Sequence, residues 1–240
     1  MRFLRRLIAF AQRHPLPSLL FWLILPVSLY FGRYLIWPPI GCLAEENPAQ
    51  TSFMEYRLKQ WKDADENKTI KQTWKTLEQI SRHLQKAVVL SEDSAFWKHK
   101  GFDLERLRVV LGAALTSGSL GMGGSTITQQ LAKNLYFQPD RSVARKLLEA
   151  LVTWRLERNL SKDRILEIYL NVVEWGDGIF GAEAAARHYF GVPATRLSRE
   201  QAAVLAAMLP NPLNRSPDAP IVKKNSRLLL ARMQREAYPW

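Results

Sequence analysis

The 240-residue sequence contains one cysteine, Cys42, and only four histidines. A single cysteine excludes an intramolecular disulfide framework and a thiolate zinc cluster, and no two histidines have the spacing of paired metal ligands. Strand-type alternation is nearly absent, and no period of about 20 to 50 residues repeats, which excludes a solenoid. A mainly helical domain is therefore expected, and 47% hydrophobic residues are enough to build its core.

Acidic residues are missing from the first 40 positions, which contain five arginines. Four of these arginines precede the uncharged, mostly apolar residues 15–32, and residues 34–37 extend the apolar run. This pattern predicts a cytoplasmic basic tail at 1–14, one transmembrane helix at 15–37, a polar linker at 38–50 and an outer domain at 51–240. A cleaved signal peptide and a lipoprotein modified at Cys42 are alternatives, but IWPPIGC is not a small-residue cleavage site.

The formal net charge is +12, and residues 41–240 still contain 29 Lys and Arg against 22 Asp and Glu. A basic balance of this kind indicates an anionic partner. Because the predicted domain lies outside the cytoplasm, nucleic acid is a poor candidate. A phosphorylated lipid or the anionic membrane surface fits the charge better.

Capping patterns predict where several helices begin. Ser52 with Glu55 and Ser198 with Gln201 have the spacing of capping boxes, Ser161 precedes KDRILEIYLN, and apolar residues at helical spacing predict a helix across 74–84. The glycine-rich residues 116–126, TSGSLGMGGST, interrupt the helical pattern and predict either a flexible flap beside a cleft or a plain surface loop. They lack the GK[ST] ending of a phosphate-binding P-loop.

The segment after Asp140 predicts a helix whose charged and apolar residues occupy different faces. Its apolar stripe consists of Val143, Leu147, Leu151 and Trp154; Arg141, Arg145 and Glu149 lie roughly opposite, with Lys146 beside them. Two interpretations remain open. The charged face is either solvated and held by weak ion pairs, or its cations converge on a diphosphate.

The stretch VLSEDSAFWKHKGFD contains the adjacent carboxylates Glu92 and Asp93. Glu92 follows an apolar run, so its carboxylate is expected to emerge from the core into a cleft, where burial would raise its basicity. Asp93 fits a helix cap or a first-turn charge. His99 is expected to form structural hydrogen bonds rather than to bind a metal.

Five ordered motifs carry a family resemblance across about residues 70–215. They are EDxxFxxHxG from Glu92 to Gly101, GSTITQQ from Gly124 with Leu131, Lys133 and Asn134, RKxxE from Arg145 to Glu149, KDRILEIYLN, and the run from Gly178 to Gly191. Together they resemble the peptidoglycan glycosyltransferases. Since the sequence has no S-x-x-K and no K-T-G of a penicillin-binding domain, the resemblance is to the monofunctional biosynthetic transglycosylases.

This resemblance implies an all-α, lysozyme-like domain on the outer face of the bacterial cytoplasmic membrane. The implied reaction polymerises lipid II into glycan strands with inversion at the sugar carbon and releases undecaprenyl diphosphate. Lipid II, the growing glycan chain and the membrane are the implied partners, with other cell-wall synthesis or division proteins as further candidates. The family also implies a small membrane-embedded lobe, for which residues 102–122 are the best candidate.

The resemblance also assigns roles to individual residues. Glu92 is the general base on the acceptor hydroxyl, and Glu149 is a second acidic residue that acts catalytically or positions cations or a metal. The diphosphate-binding residues are Lys133, Arg141, Arg145 and Lys146. The cleft residues are Asp93, Ser125, Thr128, Gln129, Gln130 and Asn134. A divalent metal, Mg²⁺ or Mn²⁺, is implied by the resemblance alone, and its ligands are not identified.

Two other functions remain as alternatives. A lytic, lysozyme-like enzyme would use Glu92 as an acid to cut finished glycan, but it would need no row of cations for a diphosphate. A non-catalytic membrane-anchored scaffold would have no reason to combine Glu92, Lys133, Arg141 and Glu149.

Overall fold

The computed structural model of the protein describes residues 15–117, 124–140 and 142–237. These residues form two compact units that divide after Pro39. The predicted flap falls partly on residues 118–123, which lie outside the described residues, as does Arg141.

The first unit contains helix α1 (Pro15–Gly32) and a 3₁₀ turn at Arg33–Leu35. The described side chains of α1 are mostly apolar and largely exposed, with Leu19 and Leu23 exposed by more than half. The Arg33 guanidinium lies over the Tyr30 ring, 4.8 Å from its centroid. Among the described residues, no helix has both the length and the apolar character needed to cross a membrane.

The second unit is mainly helical, which agrees with the all-α fold expected from the sequence. Its helices are α2 (Ser52–Asp63), α3 (Arg82–Glu92), α4 (Leu104–Ser117), α5 (Ile127–Tyr136), α6 (Val143–Asn159), α7 (Lys162–Val172), α8 (Ala182–Phe190), α9 (Arg199–Met208) and α10 (Pro220–Arg235). Strands β1 (Glu174–Gly176) and β2 (Ile179–Phe180) form an antiparallel pair. The backbone of Lys71 extends this pair through hydrogen bonds with Gly178 and Phe180.

Hydroxyl caps fix the starts of several helices. The Ser161 and Ser198 side chains accept hydrogen bonds from Arg164 N and Gln201 N, which confirms both predicted caps. Helix α2 is capped by Thr51, one residue before the predicted Ser52. The helix predicted across 74–84 is wrong for most of its length, because residues 77–79 form only a 3₁₀ turn and α3 begins at Arg82, after the Ser81 cap.

The core of the second unit contains two groups of packed helices. Helix α3 packs against α9 and α10, whereas α5 packs against α6, α7 and α2. Val88, Leu131, Ile168 and Leu205 are fully buried at these contacts, and each such side chain stabilises the fold by about 2 kcal/mol. Helices α3 and α5, which carry the first two motifs, are therefore fixed by buried apolar surface.

Residues 40–50, assigned to the linker in the sequence analysis, pack as part of the second unit. Ile40 and Leu43 are buried, and removing these apolar side chains from water favours their packing against the helical domain. Arg164 Nε donates to the Leu43 carbonyl at 2.7 Å, and its Nη2 donates to the Glu46 carbonyl at 2.8 Å. The second compact unit thus begins at Ile40.

Candidate active site

Glu92 is the last residue of α3 and is half-buried. Gln130 on α5 donates from Nε2 to Glu92 Oε2 at 2.8 Å. Tyr169 on α7 in turn donates its hydroxyl to Gln130 Oε1 at 2.9 Å. Because the tyrosine fixes the amide oxygen as the acceptor, the amide nitrogen must face the carboxylate. A three-residue chain from three motifs therefore orients Glu92.

Burial raises the pKa of Glu92 above its ordinary value of 4.5. The Gln130 hydrogen bond and the positive charges of Arg106 and Arg215 oppose this by lowering the pKa, and burial prevails. A carboxylate of raised basicity is a better proton acceptor near neutral pH than an exposed one. Tyr169 is fully buried, and burial together with the charges of Glu92 and Asp93 raises its pKa well above 10. Its hydroxyl therefore stays protonated as a donor.

Asp93 has no exposed surface, although the resemblance assigned it to the cleft. Its Oδ2 accepts from the backbone N–H of Ile127 at 3.0 Å, and its Oδ1 lies 2.9 Å from His99 Nε2. Since His99 Nδ1 accepts from Gly101 N at 3.1 Å, Nε2 carries the proton and donates to Asp93. His99 has the structural hydrogen-bonding role expected from the sequence. The pair joins the first motif to the start of α5.

The surroundings of Gly101 explain why the first motif ends in glycine. Its φ is +88°, and a Cβ there would lie 2.9 Å from Thr153 Cγ2 on α6. Only glycine combines this backbone conformation with such a close approach. The Gly101 carbonyl accepts from Thr126 Oγ1 at 2.7 Å, so the motif is tied to α5 and α6 together.

The predicted cations form a cluster around Glu149, which is 1% exposed. Arg145 forms ion pairs with both Glu149 and Asp140. Lys146 Nζ lies 3.0 Å from the second oxygen of Glu149 and donates to Ser125 Oγ at 3.3 Å. The Lys146 side chain remains half-exposed, so one cation of the cluster faces solvent.

Lys133 connects this cluster to Glu92. Burial and the nearby charge of Arg145 lower the pKa of Lys133, while the Glu92 carboxylate raises it. Burial and the charges of Arg145 and Lys133 also lower the pKa of Lys146. Lys133 therefore lies close enough to interact with both the carboxylate and the cations.

The remaining predicted cleft residues have different environments. Thr128 is buried and donates from Oγ1 to Glu157 Oε1 at 2.5 Å. Gln129 accepts from Thr126 N at 2.9 Å within the capping box of α5. Asn134 is buried, and Ser125 is partly exposed beside Lys146. Of this group, Ser125 reaches the cation cluster, whereas Thr128 and Gln129 support α5.

Helix α6 exposes much of its apolar stripe and buries a charged residue, the reverse of an ordinary amphipathic helix. Val143, Leu147 and Trp154 are 79%, 58% and 43% exposed, whereas Glu149 is buried among Leu148 and Val152. The prediction of a solvated charged face is therefore wrong for Glu149. The ion pairs with Arg145 and Lys146 offset the cost of burying its charge.

Sequence reasoning missed three residues near Glu92. Tyr169 is the tyrosine inside KDRILEIYLN, and its place in that motif is the signal that could have identified it. Arg106 donates from Nη1 to the Glu92 carbonyl at 2.6 Å, and Arg215 donates to the Ala207 carbonyl at 2.9 Å. Both arginines lie outside the recognised motifs, so no pattern pointed to them.

The described residues do not fit a metal site made by the protein alone. They contain no group of three or more His, Cys, Asp or Glu side chains that could hold an ion. Both oxygens of Glu149 are engaged by Arg145 and Lys146. A metal at Glu149 would have to displace these cations.

A half-buried carboxylate of raised pKa and a cluster of cations, carried by a helical domain, are features of an enzyme suited to group transfer from a phosphorylated donor. A family model described as Transglycosylase matches residues 59–234. The chain therefore belongs to the transglycosylase family.

Several relatives are named biosynthetic peptidoglycan transglycosylase. The protein from Nitrosospira multiformis is 47% identical over 195 residues, covering 80% of this chain and 85% of the relative. The one from Janthinobacterium sp. is 45% identical over 228 residues, covering 93% and 99%. The one from Nitrosomonas eutropha is 42% identical over 233 residues, covering 94% and 96%. The similarity thus extends over nearly the whole length of these relatives.

Proposed function

We propose that this protein is a peptidoglycan glycosyltransferase that polymerises lipid II into glycan strands. The acceptor hydroxyl O4 bonds to C1 of the donor sugar while the bond from C1 to the diphosphate oxygen breaks. The hydroxyl proton passes to Glu92, and the diphosphate leaves with the bonding electron pair. Attack opposite the leaving group inverts the configuration at C1.

The observation that carries this proposal is the electrostatic environment of Lys133. The charges of Glu92 and of Arg145 in the cation cluster both act on its pKa. The reaction needs a proton acceptor at the forming bond and positive charge at the breaking bond. The shared influence on Lys133 supports one site that contains both.

The cations stabilise the negative charge that builds up on the leaving diphosphate. Lys146 presents a half-exposed ammonium group, and Arg145 supplies a planar guanidinium suited to phosphate oxygens. Arg141, which lies outside the described residues, belongs to the same proposed set through the family resemblance. Buried Glu149 acts as a positioning residue that holds Arg145 and Lys146 in place.

The protein is also proposed to be held at the bacterial cytoplasmic membrane, with the N-terminus inside and the catalytic domain outside. The arginine-rich start and the exposed apolar side chains of residues 19–37 support an anchor. On α4, Leu104, Leu107 and Val109 are exposed by 44% to 62% and are suited to contact lipid near the site. A membrane-held enzyme meets its lipid-linked substrate at high effective concentration.

The proposal is tested with purified protein and labelled lipid II in detergent. Wild type is expected to form lipid-linked polymer, whereas Glu92→Gln loses at least about 99% of the rate, because the amide cannot accept the proton. Glu55→Gln, at an exposed position on α2, is the matched control and keeps the wild-type rate. Circular dichroism of all three proteins checks that they are folded.

The products distinguish the alternatives. Soluble fragments released from finished glycan, without polymer from lipid II, would identify a lytic enzyme. Binding of cell-wall proteins with neither reaction would identify a scaffold. Full polymerisation by Glu92→Gln would overturn the assigned base while leaving the reaction in place.

A further inference from the structure

The end of helix α3 is held by arginines from two other parts of the chain. Arg106 on α4 donates from Nη1 to the Glu92 carbonyl at 2.6 Å. Arg232 on α10 donates from Nη1 to the Leu90 carbonyl at 2.7 Å. The last carbonyls of a helix have no partner within the helix and form its negative end. Both guanidinium groups satisfy such carbonyls, but only Arg106 binds the residue that carries the proposed base.

Glu92 needs this support because its position disfavours a negative charge. The carboxylate is half-buried at the negative end of α3, and the neighbouring Asp93 carries a second carboxylate with no solvent exposure. A protonated Glu92 could not act as the base. A fixed positive charge beside the carboxylate counteracts these effects.

We propose that Arg106 is a positioning residue for catalysis: its guanidinium holds the Glu92 carbonyl and supplies positive charge that keeps the Glu92 carboxylate ready to accept a proton. This inference rests on the proposed polymerisation reaction. Arg106 also joins α4 to the residue that carries the base. Its side chain holds the Glu92 carbonyl, and its backbone N–H donates to Asp103 Oδ1 at 2.9 Å at the start of α4. A displacement of α4 would therefore alter the charge around Glu92.

Other charged or titratable groups also face Glu92. They are Asp93 beside it, Lys133 on α5, Tyr169 on α7 and Arg215 after α9. The charges of Arg106 and Arg215 lower the pKa of Glu92, and that of Asp93 raises it. Arg215 remains when Arg106 is replaced, so the expected change is a displaced pH profile and not the loss of a functional base.

The experiment measures kcat/KM for lipid II polymerisation against pH for wild type, Arg106→Gln and Arg106→Lys. Without the Arg106 charge, the pKa of Glu92 rises further, so the base is protonated at a higher pH and the acidic limb moves up. Between about pH 8 and about pH 5.5, the ratio of the Arg106→Gln rate to the wild-type rate is expected to fall by about threefold or more. Arg106→Lys retains the charge and restores most of the wild-type midpoint.

Two control variants separate charge from helix capping. Arg108→Gln removes an exposed cation from the same helix α4 and leaves the midpoint unchanged. Arg232→Gln removes the other guanidinium that caps α3, but its charge is already paired with Glu236 at 2.5 Å. This variant lowers stability, because a helix cap is lost, and leaves the midpoint unchanged.

An Arg106→Gln enzyme whose rate falls by the same factor at every pH would overturn the inference, because a merely structural role has that signature. The inference would also be overturned if Arg232→Gln moved the midpoint of the pH profile upward as far as Arg106→Gln does. Absence of polymer from the wild-type enzyme would instead reject the proposed function. The two failures are therefore distinguishable.

Discussion

At the residue scale, the proposed base depends on hydrogen bonds that cross between helices. Tyr169 fixes the amide of Gln130, and Gln130 then donates to Glu92. Each member is useful only in one orientation, since a flipped amide would present its oxygen to the carboxylate. These hydrogen bonds therefore orient the Glu92 carboxylate, and the bond from Gln130 partly offsets the rise in its pKa that burial causes.

Replacing Tyr169 by Phe removes the group that orients this amide. We expect the unfolding free energy to fall by about 1 kcal/mol and kcat to fall several-fold, while KM changes little, because the Tyr169 hydroxyl is buried and donates to Gln130. Initial rates and urea denaturation measure the two effects.

Tyr189→Phe is the matched control for this change. The Tyr189 hydroxyl donates to the Trp175 carbonyl at 2.9 Å, away from Glu92. It should reduce stability to a similar extent without changing kcat. If Tyr169→Phe also keeps the wild-type kcat, the orienting role of Tyr169 is rejected.

The sequence predicted part of the site at this scale, for a physical reason. The apolar run before Glu92 indicates that its carboxylate emerges from a buried helix, and burial does raise its pKa. Gln130, which donates to the Glu92 carboxylate, was among the predicted cleft residues, but the contact of Arg106 with the Glu92 carbonyl could not be predicted, because tertiary packing decides how these two segments approach each other. No local pattern encodes such contacts.

At the element scale, α6 shows where local patterns fail. Side-chain spacing correctly separates the apolar stripe from the charged face, but it does not state which face is buried. Val143 and Leu147 are exposed, whereas Glu149 lies in the interior. The capping residues Ser161 and Ser198 were predictable, since a cap acts within four residues of the chain.

The buried carboxylate of α6 is tested by Glu149→Gln. This change leaves Arg145 and Lys146 beside each other without their shared anion. We expect the unfolding free energy to fall by about 2 to 3 kcal/mol, less than for a fully buried pair because Lys146 is half-exposed. We also expect KM for lipid II to rise, since the cations lose their fixed positions, as measured by initial rates over a range of lipid II concentrations.

Glu183→Gln provides the comparison for Glu149→Gln. Glu183 is also buried and pairs with the arginine four residues later on α8, Arg187, at 2.7 Å. The Glu183→Gln enzyme should have a lower unfolding free energy and the wild-type KM for lipid II. Equal KM values for wild type and Glu149→Gln would contradict the positioning role of Glu149.

At the scale of the whole molecule, the chain consists of two units with different surfaces. The second unit, from Ile40 onward, has its own buried core. The first unit exposes most of its described apolar side chains. Such a surface is suited to an apolar environment, and the proposed lipid-linked substrate supplies a reason for being next to one.

Removing residues 1–39 tests this division of roles. Because the second unit has its own core, we expect its melting temperature to match that of the full chain within about 2 °C, and its polymerisation rate in detergent to stay within about twofold. With lipid II embedded in vesicles, the rate should fall by about tenfold or more, because the enzyme is no longer concentrated at the membrane. Fusing an unrelated single-span helix to residue 40 should restore the rate in vesicles. Equal rates in vesicles for the truncated and full-length enzymes would show that the second unit alone supplies the membrane attachment.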